Sequence, residues 1–141
     1  MYATITDMKK RLSRFYAELY DLDGAVDEDA MTEDLTAANA EIDGSLASRY
    51  VIPVTAADAL PLLKSWCLAL VEELAWSRSG RDELPANVKD RAKTAREQLK
   101  RCGEGSFRLP AAPAETTQGQ GGASILDIAE PVFTRSKMSG Y

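Results

Sequence analysis

The sequence predicts a mainly α-helical fold, a four-helix bundle with either a short β-hairpin or an extended arm at its C-terminal end. Apolar residues recur every three to four positions in four stretches between residues 4 and 103, which is the spacing of helix faces. Residues 110–124 are mainly Pro, Ala, Gly, Thr and Gln with a single charge, so they cannot bury a core. We therefore divide the chain into a helical domain, residues 1–105, and an extended strand, flexible linker and arm, residues 106–141.

The first helix is expected to begin at a capping box, with Thr4 as the N-cap and Asp7 as the third helical residue. We expect the helix to break near Ser13 and to resume for one or two turns up to Tyr20.

A turn is predicted at Asp21-Leu-Asp-Gly24, because Asp tolerates and Gly favours a positive φ. The even spacing of the aspartates around it raises the question of a calcium loop. The EF-hand pattern needs Gly at its sixth position and Glu at its twelfth, where this chain has Val26 and Thr32. Helix capping therefore explains these aspartates better than calcium binding does.

The second helix is expected to start near Asp27 or Glu28 and to end near Tyr50, ahead of Pro53. Gly44 lies within it, and a glycine there costs about 1 kcal/mol against alanine. We therefore expect a neighbouring helix to approach closely at this glycine. The residues predicted to pack this helix are Ile42, Gly44, Leu46 and Tyr50.

The third helix has the widest apolar band and is predicted to be the central one. Asp58 is expected to cap it, with Pro61 in its first turn and Gly80 just past its end. Pro85 is expected to open the fourth helix and Gly103 to end it. The narrow apolar seam of the fourth helix comprises Val88, Ala92, Ala95 and Leu99.

Charge is distributed unevenly along the chain, whose net charge is −5. Residues 21–48 carry nine acids and no base, whereas residues 85–108 carry seven bases and three acids. This segregation predicts faces of opposite sign that meet within the fold or between copies. The basic side of the fourth helix could instead contact nucleic acid or simply face solvent. It comprises Lys89, Lys93, Arg96, Lys100 and Arg101.

The chain contains no histidine, which removes the commonest general base and the commonest metal ligand. We therefore expect no enzyme activity, no catalytic, metal-binding or cofactor-binding residue, and no cofactor. Cys67 and Cys102 are expected to be free thiols, the first buried and the second near a helix end. With no signal peptide and no long apolar run, we expect a protein made in the cytosol with no membrane partner.

After the fourth helix, residues 106–109 alternate briefly as a strand would. Apolar residues return beyond the linker, at residues 125–128 and 132–135. An apolar tail behind a flexible linker predicts an arm that pairs with residues 106–109 or with another chain. The alternative is a C-terminal hairpin that closes on its own domain.

Three segments of the chain carry a family resemblance. They are Met1-Tyr-Ala-Thr with Asp7-Met, then Glu41-Ile-Asp-Gly44 with Arg49-Tyr50 and Pro53, then Val132-Phe-Thr-Arg135 with Met138-Ser-Gly-Tyr141. In this order and at this spacing they resemble the Mu-like phage and prophage family of small neck proteins. That family is similar in helical plan to the head–tail adaptor, or connector, proteins of long-tailed phages.

The resemblance implies an adaptor-like bundle without catalysis, made in the host cytoplasm and located in the neck of the virion. It implies a head-completion role as a ring of about twelve copies under the portal, around a DNA channel. The implied partners are other copies, the portal protein, a stopper or tail-terminator protein, and passing DNA contacted without sequence specificity. The acids expected to face the channel are Glu33, Asp34 and Glu41. The residues expected at the portal or subunit interface are Phe107, Ile125, Ile128, Val132, Phe133, Arg135, Met138 and Tyr141.

Overall fold

The computed structural model describes residues 1–111 and 113, and it confirms the mainly α-helical fold. Three of its helices are 19 residues long, or roughly 28 Å, which lets them pack along their full length. The elements in chain order are α1 (Ile5–Leu12), a 3-10 turn (Ser13–Phe15), α2 (Tyr16–Leu19), β1 (Asp21–Leu22), β2 (Ala25–Val26), α3 (Glu28–Leu46), α4 (Leu60–Arg78) and α5 (Ala86–Glu104).

Helix α4 is the central element of the bundle, as its wide apolar band predicts. It packs against α1, α3 and α5, so most of its circumference is buried. Ala92 and Ala95 of α5 are fully or almost fully buried, and their small side chains let α5 lie close to its neighbours. Cys67 is a buried free thiol as predicted, and Cys102, predicted only to lie near a helix end, is a buried free thiol as well.

The N-terminal region follows its predicted turn chemistry. The capping box at Thr4 and Asp7 is present, and helix α1 breaks at Ser13, whose φ is +56°. The turn at residues 21–24 connects β1 to β2, with Asp23 and Gly24 both at positive φ, as a two-residue hairpin turn of type I′ requires. The paired strands themselves were not predicted, because two residues each are too few to show an alternation.

Helix α3 ends four residues earlier than predicted. It stops at Leu46, whose carbonyl oxygen accepts hydrogen bonds from the N–H groups of Arg49 and Tyr50 in a closing turn. Residues 51–54 then form a strap that leads to α4 and contains a cis peptide bond before Pro53. Ala59, not Asp58, is the N-cap of α4, so the predicted cap at Asp58 is wrong by one residue.

Two tyrosine hydroxyls hold this end of the bundle together. The Tyr2 hydroxyl donates a hydrogen bond to the Asp43 carboxylate and accepts one from the Val54 N–H at 3.0 Å. The Tyr50 hydroxyl accepts a hydrogen bond from the Leu109 N–H, also at 3.0 Å. The N-terminus, the strap and the segment after α5 are therefore all attached to the C-terminal half of α3 and the turn after it.

The close helix contact expected at Gly44 is not there, so that prediction is wrong. Gly44 is exposed, and a Cβ atom added to it would have no neighbour within 4 Å. The close approach occurs one residue further on, where the Ser45 carbonyl oxygen lies 2.7 Å from a Cβ added to Gly103 of α5. The other predicted packing residues, Ile42, Leu46 and Tyr50, are buried.

The end of α5 also differs from the prediction. The helix continues through Gly103 and ends at Glu104, and Gly105 is the left-handed cap with φ +89°. The N–H groups of Ser106 and Phe107 both turn back to the Arg101 carbonyl oxygen. These bonds hold Ser106 and Phe107 in a helix cap, so the strand predicted at residues 106–109 does not form. The nearest strand-like pairing is a single bridge between Tyr50 and Pro113.

Candidate interaction surfaces

The acidic residues of α3 are largely paired with bases of the same protomer. Lys9 reaches Glu28 at 3.3 Å, Arg78 reaches Glu33 at 3.2 Å, and Arg96 reaches Glu41 at 2.6 Å. These partners come from α1, α4 and α5 respectively. Among the described residues, the acidic segment 21–48 and the basic segment 85–108 therefore meet in one ion pair, Glu41–Arg96, and the other two bases come from outside the basic segment.

Asp34 is buried, so the prediction that it faces a channel is wrong. Only 5% of the residue is exposed, because it lies on the side of α3 that faces α2 and the end of α4. The Tyr20 hydroxyl donates to its carboxylate at 2.6 Å, and Arg78 donates to both of its oxygens, at 2.8 and 3.2 Å. Burial, and then the bond to this carboxylate, raises the pKa of Tyr20 well above its usual value. The Asp34 carboxylate is thus a structural acceptor.

Glu72 of α4 is a second buried carboxylate, and it joins three helices. Arg11 of α1 donates to it at 3.1 Å and Arg91 of α5 donates at 2.9 Å. The two arginines are each partly exposed, whereas the Glu72 side chain is 7% exposed. A buried carboxylate needs such partners because water cannot reach it.

The basic side of α5 is only partly available to an external ligand. Arg96 is held between Glu41 at 2.6 Å and Glu73 at 2.7 Å, and Glu104 lies 3.8 Å from Lys100. Lys89 and Lys93 are exposed and have no carboxylate partner among the described residues. The shallow groove beside them, of about 550 Å³, also contains the acids Glu73, Asp90 and Glu97. The charge along this groove is therefore mixed.

Four side chains at the C-terminal end of α4 form what we call the aromatic–arginine surface: Arg14, Phe15, Trp76 and Arg81. The rings of Phe15 and Trp76 lie 5.6 Å apart between centroids. The Arg14 guanidinium lies 5.1 Å from the Phe15 ring centroid, and that of Arg81 lies 5.1 Å from the Trp76 ring centroid. A cluster of partly exposed Trp and Arg side chains has the composition that dominates protein–protein hot spots.

This surface is not recognised from the sequence, because the helical spacing of Met8, Leu12 and Phe15 predicts that all three lie on the buried face of the first helix. Phe15 is instead 37% exposed, since the 3-10 turn after Ser13 rotates it away from the core. A usable signal was present at one of the two aromatic residues, since Arg14 directly precedes Phe15. Arg78, two residues after Trp76, is bound instead to Glu33 and Asp34.

The opposite end of the bundle, where α4 begins, also exposes apolar side chains. Val51 and Ile52 of the strap are 46% and 40% exposed, and Leu60 is exposed at the first residue of α4. Beside the strap, Tyr50, Leu109 and Pro113 line a groove of about 690 Å³. The two ends of α4 are roughly 28 Å apart, so the molecule has two separate apolar ends.

Most of the predicted interface residues lie outside the described part of the chain. Phe107 is described: it is half-buried, and its ring contacts that of Trp66 with 6.2 Å between centroids. It packs mainly within its own protomer. The predicted residues that lie outside the description are Ile125, Ile128, Val132, Phe133, Arg135, Met138 and Tyr141.

Residues 1–111 and 113 contain neither a metal-binding cluster nor a helix that could span a membrane. No three Asp, Glu or Cys side chains in this part of the chain are grouped so that they could hold a metal ion. None of its helices is long and apolar enough to cross a membrane.

Comparison with known proteins supports the resemblance to Mu-like phage proteins. Residues 2–127 match the profile of the family described as Bacteriophage Mu, Gp36. None of the curated proteins matches the chain. The matched range includes the whole described bundle and extends into the segment after it. The chain therefore belongs to the bacteriophage Mu Gp36 family, a family of Mu-like phage proteins, which points to a role in phage structure or morphogenesis.

Proposed function

We propose that this protein is a head–tail adaptor of the virion neck. In this proposal about twelve copies form a ring under the portal, around the DNA channel. The ring joins the portal protein on one side to a stopper or tail-terminator protein on the other, and its role is structural rather than catalytic. The observation that carries the proposal is the family match over residues 2–127.

The two apolar ends of the bundle support this role. A ring subunit that binds neighbouring copies and also a partner along the ring axis needs separate contact surfaces, and exposed apolar side chains mark such surfaces. One end presents Phe15 and Leu22, the other Val51, Ile52 and Leu60. The roughly 28 Å between the ends of α4 keeps the two contacts separate.

The acids proposed to face the channel are now Glu33 and Glu41. Their side chains are 70% and 37% exposed, so Glu33 is open to solvent and Glu41 is partly so. Their arginine partners neutralise part of their charge. A weakly acidic wall offers no binding site for phosphates, so DNA could pass along it without sequence-specific contact.

Electron microscopy of the protein mixed with the portal of the same phage tests the proposal. The expected result is a ring of extra density at the tail-facing end of the portal. A portal that carries no such density at saturating protein would refute the adaptor role. The control is the same protein added to the portal of an unrelated phage, which should remain bare.

A second candidate function is nucleic-acid binding through residues 89–101. It is favoured by Lys89 and Lys93, which are exposed and not paired with a carboxylate among the described residues. Binding through phosphates should weaken steeply as salt rises. A gel shift at low salt that is lost in Lys89→Glu/Lys93→Glu would support it. No shift at low salt, or an unchanged shift in that variant, would exclude it.

A further inference from the structure

The hairpin after α2 presents an apolar side chain between two acids. Leu22 is 57% exposed, and Asp21 and Asp23 on either side of it are exposed as well. Neither aspartate forms an ion pair within the described residues. The positive φ angles of Asp23 and Gly24 define the turn that holds these side chains in place. We call these three residues the hairpin tip.

The aromatic–arginine surface has the complementary character. Phe15 and Trp76 offer partly exposed rings, and Arg14 has no carboxylate partner among the described residues. Arg81 is bound to Glu18 at 2.6 Å, but its side chain remains 45% exposed. An incoming carboxylate could therefore still reach both arginines, and an apolar side chain could cover the rings.

We propose that the hairpin tip of one copy binds the aromatic–arginine surface of a second copy. Leu22 then covers the Phe15 and Trp76 rings, while Asp21, on the opposite face of β1, and Asp23, in the turn, bring their negative charge to the edge of the contact near Arg14 and Arg81. This inference rests on the proposed ring, of which it would be the contact between neighbours.

The occupant is a second copy because the two surfaces carry opposite charges, and because Asp21, Asp23 and Arg14 have no ion-pair partner among the described residues. The described part of the chain contains no ion pair between the hairpin tip and the aromatic–arginine surface. Each copy thus carries one acidic apolar knob and one basic aromatic surface. Such a pair of different surfaces can link copy to copy and close into a ring.

Two charge-reversed variants test the contact. Asp21→Lys/Asp23→Lys places bases opposite the arginines, and Arg14→Glu/Arg81→Glu places acids opposite the aspartates. Each variant alone should associate with itself roughly tenfold more weakly than the native protein, because like charges then face each other. In an equimolar mixture every contact joins opposite charges again, so association should return to the native level.

Sedimentation velocity up to millimolar protein measures association in solution. The controls reverse the same number of charges at exposed residues elsewhere: Asp58→Lys/Glu97→Lys and Lys89→Glu/Lys93→Glu should behave like the native protein. Circular dichroism checks that every variant is folded. If loss of the Glu18 partner unfolds Arg14→Glu/Arg81→Glu, Arg14→Glu alone gives the same test with a smaller effect.

The possible outcomes separate this contact from the adaptor role. A native protein that stays monomeric at millimolar concentration overturns the contact, as does a mixture that fails to restore association. If the portal still gains a ring with each variant alone, the contact is wrong while the adaptor role stands. If the mixture restores association but no protein ever binds the portal, the adaptor role fails while the contact stands.

Discussion

Two glycines on neighbouring helices should respond in opposite directions to the same substitution. Gly44→Ala should stabilise the protein and Gly103→Ala should destabilise it. Both glycines lie inside helices, and replacing a helical glycine with alanine gains up to about 1 kcal/mol of helix propensity. The surroundings of the added methyl group therefore decide the sign.

The structure sets the size of each effect. At Gly44 the methyl group would meet nothing within 4 Å, so the full gain of about 0.5–1 kcal/mol should appear. At Gly103 it would lie 2.7 Å from the Ser45 carbonyl oxygen. A carbon and an oxygen rest at about 3.3 Å, so α3 and α5 must separate by roughly 0.6 Å. Such overpacking costs about 1–3 kcal/mol, which leaves a net loss of about 1 kcal/mol.

Urea unfolding followed by far-UV circular dichroism measures both variants against the native protein. The free energies of unfolding of the two variants should differ by about 2 kcal/mol with unchanged m-values, and each melting temperature should move by about 4 °C. If Gly103→Ala is as stable as the native protein, the helices do not meet closely there. If Gly44→Ala is destabilised, then Gly44 faces a neighbour after all.

Four further predictions follow from the buried carboxylates, the N-cap and the arm. Glu72→Gln should lower the free energy of unfolding, measured in urea, by about 2 kcal/mol, because Arg11 and Arg91 lose the carboxylate to which both are bound. The control is Glu97→Gln at an exposed residue, which should leave the free energy of unfolding unchanged. Tyr20→Phe should lower it by about 1–2 kcal/mol by removing a buried hydrogen bond, and an unchanged value would contradict that bond's role. Lys64 lowers the pKa of Asp7 to about 2, against 3.8 when unperturbed. The stability that the Asp7–Lys64 ion pair adds is therefore present above about pH 4 and is lost as the pH falls towards 2. The melting temperatures of the native protein and Asp7→Asn should converge over that pH range. Deleting residues 125–141 should leave the circular dichroism spectrum of the helices intact but block the assembly of tailed particles, and normal infectious particles would contradict the arm's role.

The helices could be predicted from the sequence because their signals are local. The capping box at Thr4, the break at Ser13 and the glycine after α4 are properties of a few adjacent residues. The contact between α3 and α5 is not local. Gly44 and Gly103 look alike as helical glycines, and only the packing of the two helices shows which one a neighbour approaches.

The same limit explains the errors at the candidate surfaces. Phe15 and Trp76 are 61 positions apart in the chain, so no sequence window contains both. Asp34 lies among other acids, and nothing in its local pattern indicates that Tyr20 and Arg78 will cover it. The residue types at these surfaces could be read from the sequence, whereas their partners depend on the fold.

The pairing of charges in the bundle also decides where a second copy can bind. Of the six acids in α3, five have partners within the protomer, since Asp43 is bound by Tyr2 and the others by Lys9, Arg78 and Arg96. Breaking such pairs to form new ones with another copy would gain little, because one ion pair would replace another. Acids that have no ion-pair partner in their own copy, and that lie next to an exposed apolar side chain, can pair with another copy without breaking an existing ion pair. Asp21 and Asp23 meet that condition at the hairpin tip, so we propose the hairpin, and not the face of α3, as the acidic surface of the contact between copies.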